Sequence, residues 1–161
     1  MKCLPLLALT LLTAGTLHAQ PAAAPTAASL IAEGDQLDAQ LKTEAALKVY
    51  LQAEKLEPAS ATTLIKIAKQ YGESMTAIPK EADKLKAAEN ALAYAQRALK
   101  LAPRLSDANL AVAICYGRLL KLVSVKTKVE DSRLIREYAQ KALQLDPASD
   151  YAWHKIGRAH V

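Results

Sequence analysis

The sequence predicts an all-α fold, an α-solenoid in which antiparallel helix pairs repeat along the chain. The 161 residues include no phenylalanine and only five glycines, whereas alanine, leucine and lysine, all strong helix formers, dominate the composition. Three segments also end alike: an alanine is followed three residues on by a leucine and two residues later by a proline. These prolines, Pro58, Pro103 and Pro147, lie 45 and 44 residues apart. The length allows one domain with a modest core.

The first 19 residues are typical of a secretory signal peptide. A positive start at Lys2 precedes an apolar run from Cys3 to Leu17, and Ala19 is a small residue of the kind signal peptidase requires. A buried N-terminal helix or a membrane anchor is the alternative, although spanning a bilayer takes ~20 apolar residues. We expect residues 20–26, rich in alanine and proline, to be a linker. The mature chain is expected to be bacterial and either periplasmic or secreted.

The first repeat, about residues 27–60, has small residues where two helices would cross. Its pattern residues are Leu30, Gly34 and Leu37 in a first helix and Ala46, Tyr50, Ala53 and Pro58 in a second. Small side chains let antiparallel helices approach, and large ones fill the space around the crossing. Ser60, a favoured N-cap residue, follows Pro58, so one helix ends here and another begins. These positions resemble the tetratricopeptide repeat, which implies a solenoid of helix pairs.

The second and third repeats, about residues 61–105 and 106–148, are longer than the 34 residues of a standard tetratricopeptide. About ten extra residues in each lie between the paired helices. Pro79 is expected to be the first residue of a helix that runs to about Leu101, and Ser106 to cap the next helix. Within the first of these helices, apolar residues recur at intervals of three and four, at Leu85, Ala88, Leu92, Ala95 and Leu99. The extra residues therefore predict longer helices and a loop.

A fourth repeat begins in residues 149–161 and is cut short. Ser149 is in position to cap its first helix and Trp153 is in register with the repeat, but the sequence ends at Val161. A repeat cannot bury its apolar face alone. We therefore expect a fold truncated in the fourth repeat and a chain that is a piece of a longer protein. The alternative is that residues 149–161 form a short capping helix.

The long repeats resemble one family more closely. The segments that carry the resemblance are Ala91–Leu99, Ala113–Cys115, Tyr138–Leu143 and the pair Gly157–Arg158. They are similar to the regulator of microtubule dynamics family, from about Leu64 to the end of the chain. The resemblance implies a tetratricopeptide scaffold. Association with microtubules, known for eukaryotic members, is not expected here, because an exported protein meets no tubulin.

No catalytic, cofactor or metal motif is present in the sequence. The two histidines of the mature chain, His154 and His160, lie about 240° apart on a helix and cannot share a metal ion in the usual way. Cys115 stands in an apolar stretch and is expected to be buried, and no disulfide partner remains once Cys3 is removed. There is no glycine-rich phosphate loop. We expect no enzymatic activity, no cofactor and no small-molecule substrate.

The predicted function is that of a scaffold for protein–protein interaction. In such solenoids the first helices line a concave face that holds a partner segment. The expected groove residues are those of first helices that the core does not use: Thr62, Lys66, Lys69, Asn109, Arg118, Lys155 and Arg158. They are polar or basic, so a protein or peptide partner with acidic character is expected. Ile31 and Asp35 replace the lysine and asparagine of the carboxylate clamp in chaperone-binding relatives, so no chaperone tail is predicted.

Two other functions remain open. The chain could be a structural part of an envelope complex, held through its repeat faces. It could instead bind an anionic membrane surface peripherally through a basic stretch in residues 117–128, whose cations are Arg118, Lys121, Lys126 and Lys128. A solvated basic loop is the plainer explanation of this stretch. Nucleic acid is not expected, because no aromatic residues accompany the basic run.

Overall fold

The computed structural model describes residues 24–122, 124–150 and 153, with the backbone alone for residues 125–130. Over these ranges the chain is helical and contains no strand. The helices are α1 (Ala27–Ala39), α2 (Thr43–Leu56), α3 (Ala61–Ser74), α4 (Glu81–Leu101), α5 (Ser106–Leu119) and α6 (Val125–Leu145). Each helix packs on the next, and α3 also packs on α5. The predicted all-α fold of antiparallel helix pairs is confirmed.

The extra length of the later repeats lies in their second helices and in the preceding loop. Helices α4 and α6 each have 21 residues, whereas α2 has 14. The first helices of the three pairs differ by at most one residue. The prediction of longer helices and a loop is therefore correct.

The core is built of small residues at the helix crossings, as the repeat pattern predicts. Alanines of the second helices are completely buried: Ala46, Ala53, Ala91, Ala95, Ala98, Ala139 and Ala142. In the first pair, the ring of Tyr50 is fully buried and lies directly against Gly34. A Cβ atom at Gly34 would be only 2.4 Å from Cε1 of that ring. Close approach of α1 and α2 thus depends on glycine at this position.

Two predicted helix starts need correction. Helix α4 begins at Glu81 and not at Pro79, because Lys80 is extended (φ −86°, ψ 129°) and takes the N-cap position. Ser106 is the first residue of α5, whose N-cap is the extended Leu105. The Ser106 hydroxyl instead donates to the carbonyl oxygen of Ala142 at 3.0 Å, which ties α5 to α6. Ser60 does cap α3, accepting a hydrogen bond from the Thr63 amide.

Most of the fourth repeat lies outside the described residues. Its Trp153 side chain is 57% exposed, and its indole Nε1 donates to the carbonyl oxygen of Pro147 at 3.1 Å. The predicted signal peptide, 1–19, and most of the linker, 20–26, also lie outside them. Thr26, at the end of that linker, caps α1 in a reciprocal capping box with Ser29.

Candidate partner-binding groove

An apolar groove of about 220 Å³ separates α3 from α5 on the face lined by first helices. Its floor consists of Ile65, Ala68, Leu110, Ala111, Ile114 and Cys115, and its rim of Lys69, Glu73, Asp107 and Arg118. The α5 residues are spaced at three, four and seven, so they share one face of the helix. The other faces of α5 are apolar as well, because α4 and α6 also pack on it. The groove thus offers apolar surface framed by charges.

Arg118 forms one end of the groove by lying across α3. Its Nη1 donates to the carbonyl oxygen of Lys69 at 3.2 Å, and its guanidinium occupies the space where a side chain at Gly72 would be. A Cβ atom at Gly72 would lie 1.4 Å from Nη1. Glycine at position 72 is therefore what allows Arg118 to fasten α5 to α3. Sequence reasoning placed Arg118 on this face but missed the role of Gly72.

Helix α3, which forms one wall of the groove, is joined to α1 of the first repeat through Asp35. Lys66 Nζ donates to Asp35 Oδ1 at 2.6 Å, and the Tyr50 hydroxyl donates to the same oxygen at 2.6 Å. Burial alone raises the pKa of the Asp35 carboxyl, but the hydrogen bonds from Lys66 and Tyr50 outweigh it and hold that pKa below its ordinary value. Burial and the neighbouring carboxylate raise the pKa of Tyr50. The carboxylate is thus held ionised between two donors.

A second ion pair repeats this connection one helical turn further along. Lys69 Nζ lies 2.7 Å from Asp38 Oδ1 and 2.5 Å from Oδ2, and 3.5 Å from Glu73 Oε1. Burial opposes the charge on Lys69, but the hydrogen bond with Asp38 and the charge of Glu73 raise its pKa overall. Burial likewise opposes ionisation of Asp38, and Lys69 lowers its pKa in spite of that. Both predicted groove lysines are therefore bound to carboxylates of α1.

The remaining predicted groove residues differ in where they lie. Thr62 is exposed on α3. Asn109 is completely buried, and its side-chain amide donates to the carbonyl oxygens of Pro103 and Leu105 at 3.1 and 3.0 Å. The prediction of a groove position for Asn109 is wrong: this residue fixes the turn before α5. Lys155 and Arg158 lie outside the described residues.

The ion pairs change the charge that the groove presents. The acidic-partner prediction rested in part on Lys66 and Lys69, whose charges are already balanced by Asp35 and Asp38. The rim adds two carboxylates, Glu73 and Asp107, and one guanidinium. The described part of the groove is therefore not a basic surface, and its most distinctive feature is the apolar floor.

Cys115 lies in this floor as a packed side chain. Its thiol is 3% exposed, and burial raises its pKa to about 12, so the thiolate form is absent at neutral pH. The prediction that it is buried is correct. Within the described ranges, no three histidine, cysteine or acidic side chains are grouped to hold a metal ion. No helix in that part of the chain is long and apolar enough to cross a membrane.

Comparison with known proteins identifies both a family and a fold. The family model for Regulator of microtubule dynamics protein 1-3 matches residues 30–160. A comparison with curated proteins finds no match.

Several solved tetratricopeptide structures share the fold. A thermophilic TPR protein of Thermus thermophilus superimposes with a TM-score of 0.72 at 17% identity, over 84% of this chain and 64% of that one. The Sgt2 TPR domain from Aspergillus fumigatus has a TM-score of 0.66 at 19% identity, over 85% and 78%. The first TPR domain of Spaghetti (RPAP3), bound to the HSP90 peptide SRMEEVD, has a TM-score of 0.64 at 16% identity, over 84% and 90%.

Proposed function

The chain belongs to the family of Regulator of microtubule dynamics protein 1-3, and we propose that it is an exported scaffold that binds an extended segment of a partner protein and catalyses no reaction. The segment lies along the concave face, and one of its apolar side chains enters the groove between α3 and α5. The single observation that carries this proposal is that groove. Its floor is apolar, and its two helices are held in place by ion pairs to α1 and by the hydrogen bond of Arg118.

The walls of the groove support binding because contacts within the chain hold them in position. Two ion pairs hold α3 to α1, and Arg118 holds α5 to α3. A preorganised site loses less conformational entropy on binding, so more of the contact energy becomes affinity. Small residues on the floor, Ala68 and Ala111, leave room for a guest side chain. Pockets of this kind, apolar with a few charges at the rim, are the usual form of binding sites.

The proposed guest is an apolar side chain and not a carboxylate tail. The likeness to the RPAP3 domain, which is bound to the peptide SRMEEVD, supports an extended peptide as the ligand. Lys66 and Lys69, however, are already paired with Asp35 and Asp38, so they offer little attraction to an acidic segment. An apolar anchor needs no free cation and matches the groove floor.

Export is part of the proposal and rests on the sequence of residues 1–19. Their positive start, apolar run and small residue at position 19 fit a signal peptide. The partner is then an envelope or secreted protein.

The test is capture of partners from the envelope of the source organism by the immobilised protein, followed by mass spectrometry. Ile114→Gln places an amide in the groove and should abolish capture of the specific partner. Leu51→Gln, on α2 and outside this groove, is the matched control, because Leu51 is likewise partly buried. Capture by the wild-type protein should also survive high salt, since apolar contacts are not screened.

Loss of the same partner from both variants would indicate general destabilisation. Retention of the partner by Ile114→Gln, with an unchanged melting temperature, would mean that the groove does not bind. Capture that disappears at high salt would point to a charged surface instead.

A further inference from the structure

The three turns that join the first helix of each pair to the second meet at one edge of the solenoid. These turns, taken over the described residues 40–42, 75–80 and 120–122, are called the turn edge here. Residues of all three line a common depression of about 710 Å³. Its apolar residues are Leu41, Met75 and Leu122, one from each turn. Its charged residues are two acids, Glu73 and Glu81, and three cations, Lys84, Arg118 and Lys121. The turn edge is distinct from the apolar floor of the groove.

Leu41 is the most unusual residue of this edge. The amide of Leu41 donates to the Asp38 carbonyl and that of Lys42 to the Leu37 carbonyl, each at 2.9 Å, which is the hydrogen-bond pattern of a Schellman motif. Leu41 takes the left-handed position of that motif, with φ of 58°, and is the only non-glycine residue of the described ranges with positive φ. Glycine or asparagine is normally found there.

The Leu41 side chain is also 86% exposed, more than any other large apolar residue described. Leucine is unfavourable at this position for two reasons. Its backbone is in the strained left-handed conformation, and its apolar side chain is exposed to water. An observed strain of this kind points to a use for the residue outside the fold itself. The turn presents an apolar side chain at its tip.

Each turn of this edge also combines apolar residues with one lysine and no acid. The lysines are Lys42, Lys80 and Lys121. Arg118 lies close by, but its guanidinium is used against α3. The opposite edge differs: its turns, 57–60, 102–105 and 146–149, contain two acids and one arginine. Leucines beside the opposite turns, Leu56, Leu101 and Leu145, are also exposed, by 53%, 49% and 36%. The turn edge is distinguished by a lysine in each turn and by Leu41, which is 86% exposed.

We propose that the turn edge docks on a membrane surface rich in anionic phospholipid. Leu41 enters the boundary between headgroups and acyl chains, and the three lysines lie against lipid phosphates. The negative surface potential of such a membrane attracts lysine side chains and so raises binding affinity. A single apolar side chain that enters the membrane adds hydrophobic affinity. The groove floor stays free in this orientation, so binding of a partner and of the membrane are separate events.

A protein partner explains the turn edge less well. The cores of protein interfaces are depleted in lysine, whereas lysine is characteristic of surfaces that bind anionic lipid. The apolar residues of the edge are also distributed over separate turns, with a depression between them. A lipid surface needs no complementary shape, so it can accept separate tips.

The test is flotation of the protein with vesicles of phosphatidylcholine, with and without phosphatidylglycerol. Variants are compared in the same full chain, so that the apolar run near the N-terminus contributes equally to all. Leu41→Asn should weaken partition into phosphatidylglycerol vesicles about fivefold to tenfold, and Lys121→Gln about fivefold. The matched controls are Leu56→Gln, an exposed leucine beyond this edge, and Lys55→Gln beside it. Both controls and Ile114→Gln should bind as the wild type does.

Leu41→Asn should leave the melting temperature unchanged or raise it, because asparagine tolerates the left-handed conformation. Reduced vesicle binding without reduced stability would support the proposal. Equal binding by Leu41→Asn, Lys121→Gln and the two controls would overturn it. Loss of a captured protein partner by Leu41→Asn, with vesicle binding intact, would also overturn it in favour of a protein ligand.

Discussion

Replacing Gly34 by alanine tests the helix crossing on which the repeat assignment depends. The new Cβ atom would lie 2.4, 2.7 and 2.8 Å from three atoms of the Tyr50 ring. That ring is completely buried, and its hydroxyl is bonded to Asp35 at 2.6 Å, so it cannot swing aside. Overpacking of a core costs about 1–3 kcal/mol, and the rigid ring places Gly34→Ala near the upper end. Alanine regains about 1 kcal/mol of helix propensity. The expected net loss is about 1–2 kcal/mol of unfolding free energy.

Gly117→Ala is the matched control. Gly117 is also inside a helix, but a Cβ atom there would meet nothing closer than the Ile135 Cδ1 at 4.0 Å. Only the propensity gain then remains, about 0.5–1 kcal/mol of stabilisation. The two changes should therefore shift the melting temperature in opposite directions, by about 2–8 °C for the loss.

Thermal and urea denaturation, followed by circular dichroism, measure both shifts. A double variant, Gly34→Ala with Tyr50→Leu, isolates the contact, because the smaller side chain removes the clash. The penalty of Gly34→Ala should largely vanish in that background. Stabilisation of the wild-type background by Gly34→Ala, equal to that of Gly117→Ala, would refute the packing of α1 against α2 described above.

Three further predictions use other parts of the chain. Ala95→Leu should lower stability by about 1–3 kcal/mol through overpacking, whereas Ala93→Leu on the exposed face of the same helix should change it little; equal shifts in urea denaturation would contradict the register of α4. The pKa values of Asp35 and Asp38 are lowered in the folded protein, so their charged forms stabilise the fold at pH values above the ordinary pKa of 3.8, and this contribution is lost as pH falls through the folded pKa. Changing both residues to asparagine should reduce the loss of folding stability in acid, and an unaltered pH profile of the melting temperature would contradict this prediction. N-terminal sequencing of the exported protein should begin at Gln20, and an intact Met1 there would disprove the signal peptide.

The helix pairs could be predicted from the sequence because their boundaries are local. Pro58, Pro103 and Pro147 end the second helices, and alanine at fixed spacing marks the crossings. Helix starts were predicted less accurately. Pro79 was expected to begin α4 but lies two residues before its first residue, and Ser106 was expected to cap α5 but is its first residue. Such shifts depend on the conformation of a single residue, which no periodicity encodes.

The groove was harder to predict because α5, the helix that forms one of its walls, is not amphipathic. Helix α5 packs on α3, α4 and α6, so apolar residues surround it and give no preferred direction. Asn109 was assigned to the groove for its polarity, yet its amide is spent on the preceding turn. One signal was available, however. Both ion pairs between α1 and α3 join residues 31 apart, so acids and lysines at that offset indicate neighbouring positions on consecutive first helices.

Arg118 connects the two proposed surfaces. With Glu73 it lines both the groove and the depression at the turn edge, and its hydrogen bond to Lys69 holds α5 against α3 where the two surfaces meet. A planar guanidinium fits the space above Gly72, whereas a lysine there has one point charge and a flexible stem. Arg118→Lys keeps the charge but gives up this fit, so it separates electrostatic from structural contributions. We expect Arg118 to act mainly by holding α5 against α3. Arg118→Lys should therefore weaken partner capture by the groove and leave vesicle flotation nearly unchanged. Equal loss of both would mean that the two surfaces depend on a single packing arrangement.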